Sequence, residues 1–577
     1  MASDVARHTR RSFLRSAAAF GGLGATALLA ACQQTPAPAA KPAESKPADA
    51  SKPAAAAPTS APAAPAAKPA DSAAKPAAAP TSAPAAQAAP ASAGGTPKPG
   101  GSTVWTAEVD PVSLDPHKTS NYSSAQAWGD LTYQSLVMFD EKMTLTPALA
   151  ESWTNPSPTT WSFKLRQGVK FHDGSDFDAE DVKFWYDRLM APETAAPYKS
   201  WFNTITKVEP KGTHEVEFTL GEPYAPFLAS FAAMRGSAIV PRRWGASADM
   251  TKQAVGTGPF KIVDFVPQSH IEYVRNPDYW EKGLPYLDKV TFKIASDEET
   301  RVAGLRSGQI KHAFISSEAA VRLKSDPNIV IMSSEGPSQR VTNLNTKRKP
   351  FDDVRVRQAI ALTLDRASAI DKSLSGEGKL TGPMPTGHGT WFIPPEQLGY
   401  TRDVARAKAL LAEAGYPNGF ETTIKTTPDY PTMLSTSIIM ADQLKEIGIK
   451  LNVQQMEWGT LVKDINSKDY DIHSNGNSFF PDPDSYMYLK YHTKGAQNFS
   501  SWENAQYDAI IDKARTIMEP TERKKLYDEA QKILMDEAPL VWWFTENNIE
   551  AIHKSQKGYS QSFTGRRMFL KKVWVEE

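Results

Sequence analysis

Short segments rich in valine, isoleucine, threonine and aromatic residues recur along the chain from residue 103 onward. Many alternate between apolar and polar positions, and β-branched or aromatic side chains suit the pleated, half-buried surface of a strand. The pattern predicts β-strands at eight places along the chain. They are Thr103–Val109, Trp161–Phe171, His214–Leu220, His270–Arg275, Lys289–Ala295, Glu421–Thr426, Lys450–Met456 and Leu540–His553.

Helical periodicity lies between these strands, and capping residues locate two helix starts. Asp178 can cap a helix over Ala179–Met190, with Asp181 three residues further on. Ser296 and Glu299 have the spacing of a capping box, in which two side chains satisfy backbone N–H groups at a helix start. Both patterns predict helices that begin immediately after a polar cap.

Three later helices are predicted from an apolar stripe, a terminal glycine or both. One begins at about Val354; another covers Thr401–Ala414 and stops at Gly415. The third covers Leu434–Ile447 and stops at Gly448, which leads directly into a strand; glycine after the last helical residue suits a left-handed cap. Alternating helices and strands indicate an α/β fold. The stripe of the first helix consists of Val356, Ala359, Ile360, Thr363 and Leu364.

The composition changes sharply near residue 101. Residues 33–101 contain mostly alanine, proline, serine and lysine and no aromatic residue. Such a segment cannot bury enough apolar surface to offset the entropy of ordering it, so a disordered, extended tether is expected. The alternative is a low-complexity tract without a mechanical role. The remaining chain is long enough for two or three domains.

Residues 1–32 have the pattern of an export signal. Arg10 and Arg11 precede the uncharged run Ser16–Ala31, which is shorter than the roughly 20 apolar residues of a membrane-spanning helix. The arginine pair is typical of a Tat-type signal. The last four residues of this segment, LAAC, resemble a bacterial lipobox, in which the cysteine is lipidated and becomes the new N-terminus. Since Cys32 is the single cysteine of the chain, lipidation is favoured over a plain signal peptide with an incidental cysteine.

Charge and motifs exclude several functions. Lysine plus arginine and aspartate plus glutamate number 65 each, so the basic excess of a nucleic-acid-binding protein is absent. With Cys32 lipidated, disulfides and cysteine metal sites are excluded. The sequence lacks the common protease, hydrolase and phosphate-loop motifs, and neither an enzyme nor a cofactor is predicted. Three motifs read as turns: Val255–Phe260, which could also be a hinge, His172–Gly174 and Pro481–Asp484.

A series of long phrases resembles the family 5 extracellular solute-binding proteins, the peptide/nickel class that serves ABC importers. The phrases run in order through residues 103–577. They include SLDPHKT, TPALAESW, TWSFKLRQGVKFHDGSDFDAEDVKFWYDRL, VGTGPFKIVDF, LNTKRKPFDDVRVRQAIALTLDR and QLKEIGIKLNVQQMEW.

The resemblance implies an α/β fold of the two-lobed, type II periplasmic-binding-protein kind, which closes on its ligand like a clamp. Lobe I is expected to collect residues 103–143, 257–342 and 538–577. An extra subdomain is expected at residues 144–256, and lobe II at residues 343–537.

The resemblance also implies three groups of ligand-binding residues, and the loop around residue 391 adds a weaker fourth. The expected residues are Ser120, Asn121, Tyr122, Trp391, Trp458, Ser474, Asn475, Asn477 and Phe479.

The chain departs from the pattern of its peptide-binding relatives at two positions. Those relatives commonly have Gly-Trp at residues 475–476, where this chain has Asn-Gly, and a carboxylate at Phe479 that pairs with the peptide ammonium. Without that carboxylate a free peptide N-terminus loses its counter-ion, unless the loop shifts and Asp482 replaces it. Aromatic rings and neutral amides suit an uncharged ligand, such as an oligosaccharide or a blocked peptide.

The expected protein is a lipid-anchored monomer at the outer face of the cytoplasmic membrane, in a periplasm or at a cell surface. It captures a peptide or a neutral, oligosaccharide-like solute by lobe closure and delivers it to an ABC permease, whose separate ATPase supplies the energy. One alternative is a metal or metallophore carrier of the same family, with His473 and His388 as candidate ligands. A ligand sensor for a membrane receptor is the second alternative, and an enzyme is the third.

Overall fold

The computed structural model describes most of the chain from residue 96 to residue 576. Within that range it leaves out residues 110, 112, 119–128, 130, 142, 235, 246–249, 251–252, 479–481 and 568. The predicted export signal, Cys32 and most of the predicted tether therefore lie outside the described residues.

The described residues form strands and helices that alternate along much of the chain. The strands are β1 (Ser102–Ala107), β2 (Val137–Phe139), β3 (Leu145–Pro147), β4 (Ala150–Ser157), β5 (Thr160–Leu165), β6 (Ile205–Gly212), β7 (Glu215–Leu220), β8 (Phe260–Val266), β9 (His270–Arg275), β10 (Lys289–Ile294), β11 (His312–Phe314), β12 (Ile329–Leu344), β13 (Gly378–Leu380), β14 (Glu421–Thr426), β15 (Lys450–Gln455), β16 (Ile472–Asn477), β17 (Leu540–His553), β18 (Gln556–Lys557) and β19 (Trp574–Val575). The α-helices are α1 (Ala179–Met190), α2 (Phe227–Ala232), α3 (Arg242–Gly245), α4 (Glu298–Arg306), α5 (Ser317–Leu323), α6 (Val354–Thr363), α7 (Arg366–Leu374), α8 (Val404–Glu413), α9 (Pro431–Gln443), α10 (Trp458–Ser467), α11 (Pro483–Tyr486), α12 (Ala505–Ala514) and α13 (Pro520–Glu537).

The largest sheet of the described residues has eleven strands, in the order β15-β14-β16-β12-β17-β11-β1-β10-β9-β8, with β13 paired to β17. Two long antiparallel strands, β12 and β17, stand near its centre and join its two halves. Their pairing is interrupted between Glu335 and Gln339. The half that carries β1 and β8–β11 is termed lobe I, and the half that carries β13–β16 is termed lobe II.

A separate antiparallel sheet, in the order β4-β5-β7-β6, packs with α1 and α2 around an aromatic core. Phe163 and Phe218 meet edge-on at 5.4 Å, and Phe227 and Phe231 at 5.3 Å. Aromatic rings bury large areas and prefer such edge-to-face contacts. This core also contains Trp161 and Trp185, which explains why aromatic residues are dense in this part of the sequence.

Of the two predicted caps, one is confirmed and one is wrong. Asp178 accepts the N–H of Glu180 at 2.9 Å, and Asp181 accepts the N–H of Asp178 at 3.1 Å, which forms a capping box at the start of α1. At α4, however, the capping residue is Asp297, whose carboxylate accepts the N–H of Thr300 at 2.7 Å. A carboxylate is a strong acceptor at the positive end of a helix, so the cap lies one residue later than predicted.

The predicted helix ends are confirmed, although α9 begins earlier than expected, at Pro431. A short tight helical turn at Leu444–Ile447 continues α9. Gly415 and Gly448 have φ values of +90° and +78°, in the left-handed region that favours glycine. The predicted apolar stripe of α6 is buried in the core of lobe II.

In the segment Val255–Phe260 the backbone packs directly against the backbone of Leu131 and Thr132. A side chain at Gly256 or Gly258 would clash with the backbone of Leu131 or Thr132, and the N–H of Gly258 donates to the carbonyl of Thr132 at 2.9 Å. The two glycines therefore allow two chain segments to touch where the sequence could have suggested a phosphate loop.

Candidate ligand-binding cleft

β12 and β17 run side by side from one lobe into the other, and the place where they pass between the lobes is termed the crossing. The ends of two sets of strands lie toward it. In lobe II, β16 ends at Asn477, opposite Gln339 and beside the interruption in β12. In lobe I, β11 ends at Phe314, opposite Glu550 of β17. β16 lies parallel to β14, and β11 lies parallel to β1. Because ligands of open α/β sheets bind beyond the carboxyl ends of the strands, the crossing is the candidate position for a ligand-binding cleft.

A buried amide network lies at the lobe II side of the crossing. Asn477 donates from Nδ2 to Oε1 of Gln339 at 2.8 Å. Gln339 in turn donates from Nε2 to Oγ1 of Thr381 at 3.1 Å and to the carbonyl of Gly382 at 2.8 Å. Asn477, a predicted ligand residue, is thus at the crossing, but its Nδ2 is already engaged inside the protein.

A guanidinium lies next to this network. Arg340 forms a two-pronged ion pair with Glu546 of β17, with Nε and Nη2 at 2.6 and 3.1 Å from the two carboxylate oxygens. Its Nη1 occupies the space beside Gly476, where a β-carbon would clash with it; the methyl group of Met433 bounds the same space. The side chains of the pair are 12% and 18% exposed. The absence of a side chain at residue 476 therefore makes room for this guanidinium.

An aromatic pair stands at the carboxyl ends of β14 and β15. Trp458 is the first residue of α10, and its N–H donates to Oδ2 of Asp429 at 2.9 Å. Its half-buried ring meets the ring of Tyr430 edge-on at 5.0 Å, and Tyr430 is 40% exposed. Trp458, a predicted ligand residue, thus presents aromatic surface at this edge together with Tyr430, which the sequence analysis missed.

The lobe I side of the crossing holds a deeply buried polar cluster. Glu550 and His312 have no exposed side-chain surface, and His312 Nε2 lies 2.5 Å from Oε2 of Glu550. Tyr559 donates its hydroxyl to the same oxygen at 2.7 Å, and Nη1 of Arg567 lies 3.7 Å from it. Burial and the charge of Arg567 lower the pKa of His312 to about 4. His312 is therefore neutral near pH 7 and donates an N–H.

The two carboxylates of this cluster differ in electrostatic environment. Burial alone would raise the pKa of Glu550, but His312 and Arg567 hold it below its ordinary value. Glu108 follows β1 directly, and its buried Oε1 has no hydrogen-bond partner among the described residues. Burial raises the pKa of Glu108 above its ordinary value. The cluster thus combines well-partnered and poorly partnered groups at one end of the lobe I sheet.

Two predicted residues of β16 bond to the protein itself. Ser474 is buried and donates its hydroxyl to the carbonyl of Met433 at 3.2 Å, which ties β16 to α9. Asn475 accepts the N–H of Gly476 on Oδ1 at 2.8 Å. Residues 474 and 476 share the face of β16 toward α9, since side chains alternate along a strand.

Trp391 lies within the lobe II packing, apart from the aromatic pair. Its carbonyl accepts a hydrogen bond from Nε2 of Gln531 at 3.0 Å, and its half-buried ring meets Tyr527 edge-on at 5.8 Å. The remaining predicted ligand residues lie outside the described residues. They are Ser120, Asn121, Tyr122 and Phe479.

Asp482 does not stand free to replace the missing carboxylate at residue 479. Its two oxygens accept hydrogen bonds from Arg523 at 2.7 and 3.1 Å, and both side chains are buried. Asp482 also caps α11 by accepting the N–H of Asp484 at 2.9 Å. The motif thus has a structural role in lobe II.

The two candidate metal ligands, His473 and His388, pack against tyrosine rings. His473 is fully buried, burial lowers its pKa to about 3, and its ring lies 4.4 Å from that of Tyr470. His388 meets Tyr486 edge-on at 4.9 Å. Among the residues that the structure describes, no three histidine, cysteine or acidic side chains are grouped to hold a metal ion.

One of the contacts between the body around β4–β7 and lobe II is made by Arg515. The N–H of Ala225 donates to the carbonyl of Arg515 at 2.9 Å. The guanidinium of Arg515 lies 3.9 Å from the ring of Tyr488, 5.5 Å from that of Tyr224 and 3.3 Å from Asp484. Burial raises the pKa of Asp484 to about 6 although Arg515 opposes this. This contact, termed the Arg515 contact, joins two bodies that are far apart in sequence.

The chain belongs to the bacterial extracellular solute-binding proteins of family 5. The model of the middle part of that family matches residues 144–498. The glutathione-binding protein GsiB of Salmonella paratyphi A is 29% identical over 470 residues, which cover 78% of this chain and 90% of that protein. The di/tripeptide-binding protein 2 of Pseudomonas aeruginosa is 30% identical over 509 residues, covering 80% and 93%.

Among solved structures, the periplasmic binding protein DppA of Helicobacter pylori, in complex with the peptide STSA, superposes with a TM-score of 0.71. It is 30% identical and covers 83% of this chain and 99% of its own. The predicted two-lobed type II fold is thereby confirmed. Proteins of this family are extracytoplasmic binding components of ABC importers and not enzymes. No helix among the described residues has the length and apolar character needed to cross a bilayer.

Proposed function

We propose that this protein is the lipid-anchored receptor of an ABC importer and that it encloses a short peptide-like solute between its lobes. The observation that carries the proposal is the convergence of both sets of strand ends on the crossing of β12 and β17. A ligand held there touches both lobes at once. The relatives that bind glutathione, dipeptides and tripeptides support the choice of solute class.

We propose that the lobes close on a ligand held at this place. A ligand shifts a protein between open and closed forms only by its greater affinity for one of them. A ligand at the crossing meets the aromatic pair of Trp458 and Tyr430 on one side and the end of the lobe I sheet on the other, so the closed form provides more contacts. We further propose that the Arg515 contact stabilises this closed form.

The lipid anchor is proposed on Cys32, from the lipobox resemblance and its position as the chain's single cysteine. Two or more acyl chains hold a protein stably at a membrane, whereas one binds marginally. Cys32→Ala should release the protein from the membrane fraction and remove the mass of the diacylglycerol. An unchanged membrane fraction would refute lipid anchoring.

Native mass spectrometry of the full-length chain, purified in detergent, tests the ligand class. Added masses that match short peptides or peptide-like acids, lost on denaturation, would support the proposal. A discrete added mass of a sugar, or melting shifts caused only by oligosaccharides, would instead establish a carrier of neutral solutes. Small-angle scattering gives the second readout, because enclosure of the ligand should reduce the radius of gyration.

A further inference from the structure

We infer that Arg340 binds a carboxylate group of the ligand, so that the enclosed solute is held by its acid end. The inference rests on the proposed function, since it assumes a ligand at the crossing of β12 and β17. It adds Arg340 to the predicted ligand-binding residues. It also requires an acid group on the ligand, which the predicted aromatic rings and neutral amides did not.

The orientation of Arg340 is fixed by the protein. Glu546 engages Nε and Nη2 at 2.6 and 3.1 Å, which leaves Nη1 without a hydrogen-bond partner among the described residues. A guanidinium presents five N–H donors in a planar fork and pairs well with carboxylates. Because Glu546 holds the side of the guanidinium with Nε and Nη2, the side with Nη1 is positioned to bind a second anion.

The space in front of Nη1 is also provided by the protein. A β-carbon at residue 476 would lie too close to Nη1, so a side chain there would displace the guanidinium from this place. Arg340 is the second residue on the lobe II side of the interruption in β12, and its side chain remains 12% exposed. The guanidinium is therefore mostly desolvated but still accessible at the crossing.

Among the described residues, Glu546 is the one carboxylate that pairs with this guanidinium. Asp429 accepts the N–H of Trp458, and Glu457 accepts the N–H groups of Gly459 and Thr460 at 2.8 and 3.0 Å. Both acids are thus occupied at the start of α10. The start of α9, beside Met433, has no side-chain cap, and its partial positive charge favours an anion in the same place.

The other cations near the crossing are engaged. Lys379 forms an ion pair with Glu335, and Arg567 lies buried against Phe314 at 4.1 Å, near Glu550. Residue 479 is phenylalanine, where the family resemblance implies a carboxylate for the ligand's ammonium. Of the three cations named here, Arg340 thus keeps a donor edge for an acid end, whereas Phe479 offers no counter-ion to an amino end.

The test compares three probes by calorimetry on the full-length chain in detergent: Ala-Ala-Ala, its C-terminal amide, and its N-acetylated acid. We expect both acids to bind at least about 30-fold more tightly than the amide, since loss of a desolvated charge pair has effects of that size. Equal binding of acid and amide to the wild-type protein would overturn the inference while leaving the proposed function intact. If none of the three probes binds, the peptide-like ligand and the inference fail together.

Two variants locate the effect. Arg340→Met should abolish the preference for acids, and Gly476→Ala should weaken acid binding by displacing Nη1 without removing any charge. Arg402→Met is the control, because Nη2 of Arg402 also contacts both carboxylate oxygens of one acid, Glu446, but on the exposed surface. An undiminished acid preference in Arg340→Met, or an equal loss in the control, would contradict the role of Arg340. Gly476→Ala retains every charged group, so it also provides a test if Arg340→Met folds poorly.

Discussion

Two charged groups lie on opposite sides of the crossing between the lobes, and they differ in how completely they are buried. The Glu550 cluster in lobe I has no exposed surface on Glu550 or His312 and contains unpaired buried atoms. The Arg340–Glu546 pair in lobe II is 12% and 18% exposed, and one edge of its guanidinium has no partner among the described residues. Breaking a buried charge network is costly because the remaining partner stays desolvated. We therefore expect the first group to determine stability and the second to contribute to binding.

The largest effect is expected for Glu550→Gln. The change leaves Arg567 without its nearest described carboxylate and weakens the acceptor for His312 and Tyr559. Loss of one partner in a buried network should lower the free energy of unfolding by about 3–5 kcal/mol, measured by chemical denaturation. The matched variant Glu546→Gln should cost about 1–2 kcal/mol. Equal losses would remove the distinction between the two groups.

The second expectation concerns pH and the same cluster. The pKa of His312 is about 4 in the folded protein, below the value of about 6.5 in an unfolded chain. Because the folded pKa is depressed, this contribution to stability is present above pH 6.5 and is lost as pH falls through 4. It amounts to roughly 3 kcal/mol, at 1.36 kcal/mol per pKa unit.

The control is His312→Gln, which can still donate an N–H to Glu550 but does not titrate. Between pH 7 and pH 4, the slope of its free energy of unfolding against pH should be smaller than that of the wild-type protein. The difference should be at most the slope that corresponds to uptake of one proton on unfolding. An identical slope in both proteins would show that His312 is not the titrating group.

A smaller effect is expected at the Arg515 contact. Arg515→Met removes the ion pair with Asp484 and the guanidinium contacts with Tyr224 and Tyr488. Since the contact joins lobe II to the body around β4–β7, its loss should weaken the closed form by about 1 kcal/mol. Stopped-flow measurement should show faster ligand dissociation with a nearly unchanged association rate. A change confined to association would contradict a role in the closed form.

The smallest effect is expected for Glu446→Gln, which weakens the pair with Arg402 but keeps the hydrogen bond from Arg402 Nε to the carbonyl of Thr363. Arg402 and Glu446 form a well-shaped pair, but their side chains are 41% and 45% exposed. Solvent screening leaves such a pair with at most about 0.5 kcal/mol, measured as a shift of the denaturation midpoint. A loss as large as that of Glu546→Gln would show that burial does not separate these pairs.

Several strands were predictable because their side chains suit a half-buried sheet, and others were not. The predicted strands at β9, β14 and β17 match the structure at both ends. The residue pattern did not predict β16, and only the family resemblance implied a strand there, because its sequence, IHSNGN, is polar and contains glycine, which disfavour strands in isolation. Its pairing with β12 and β14 provides the hydrogen bonds that outweigh this preference.

The longest omission was β12, in which Gly336-Pro337 reads as a turn. This segment is instead the interruption at the crossing, where β12 and β17 change from one lobe to the other. Local sequence cannot distinguish a turn from such an interruption, because β17 lies about two hundred residues away along the chain. The signal that could have drawn attention to Arg340 was the unexplained Gly476, a position that the family resemblance had already marked as a departure.

The sequence by itself determined the family, the α/β class, most helix ends and the aromatic character of the edge at Trp458. These depend on local propensity, capping and long matching phrases. Only the tertiary structure decided that Asn475, Asn477 and Ser474 bond to the protein itself and that Asp482 is taken by Arg523. It also decided that Arg340 stands at the crossing with one edge that has no partner among the described residues. The physical reason is that a polar side chain becomes available to a ligand only after the fold has assigned its internal partners, and those partners come from distant strands.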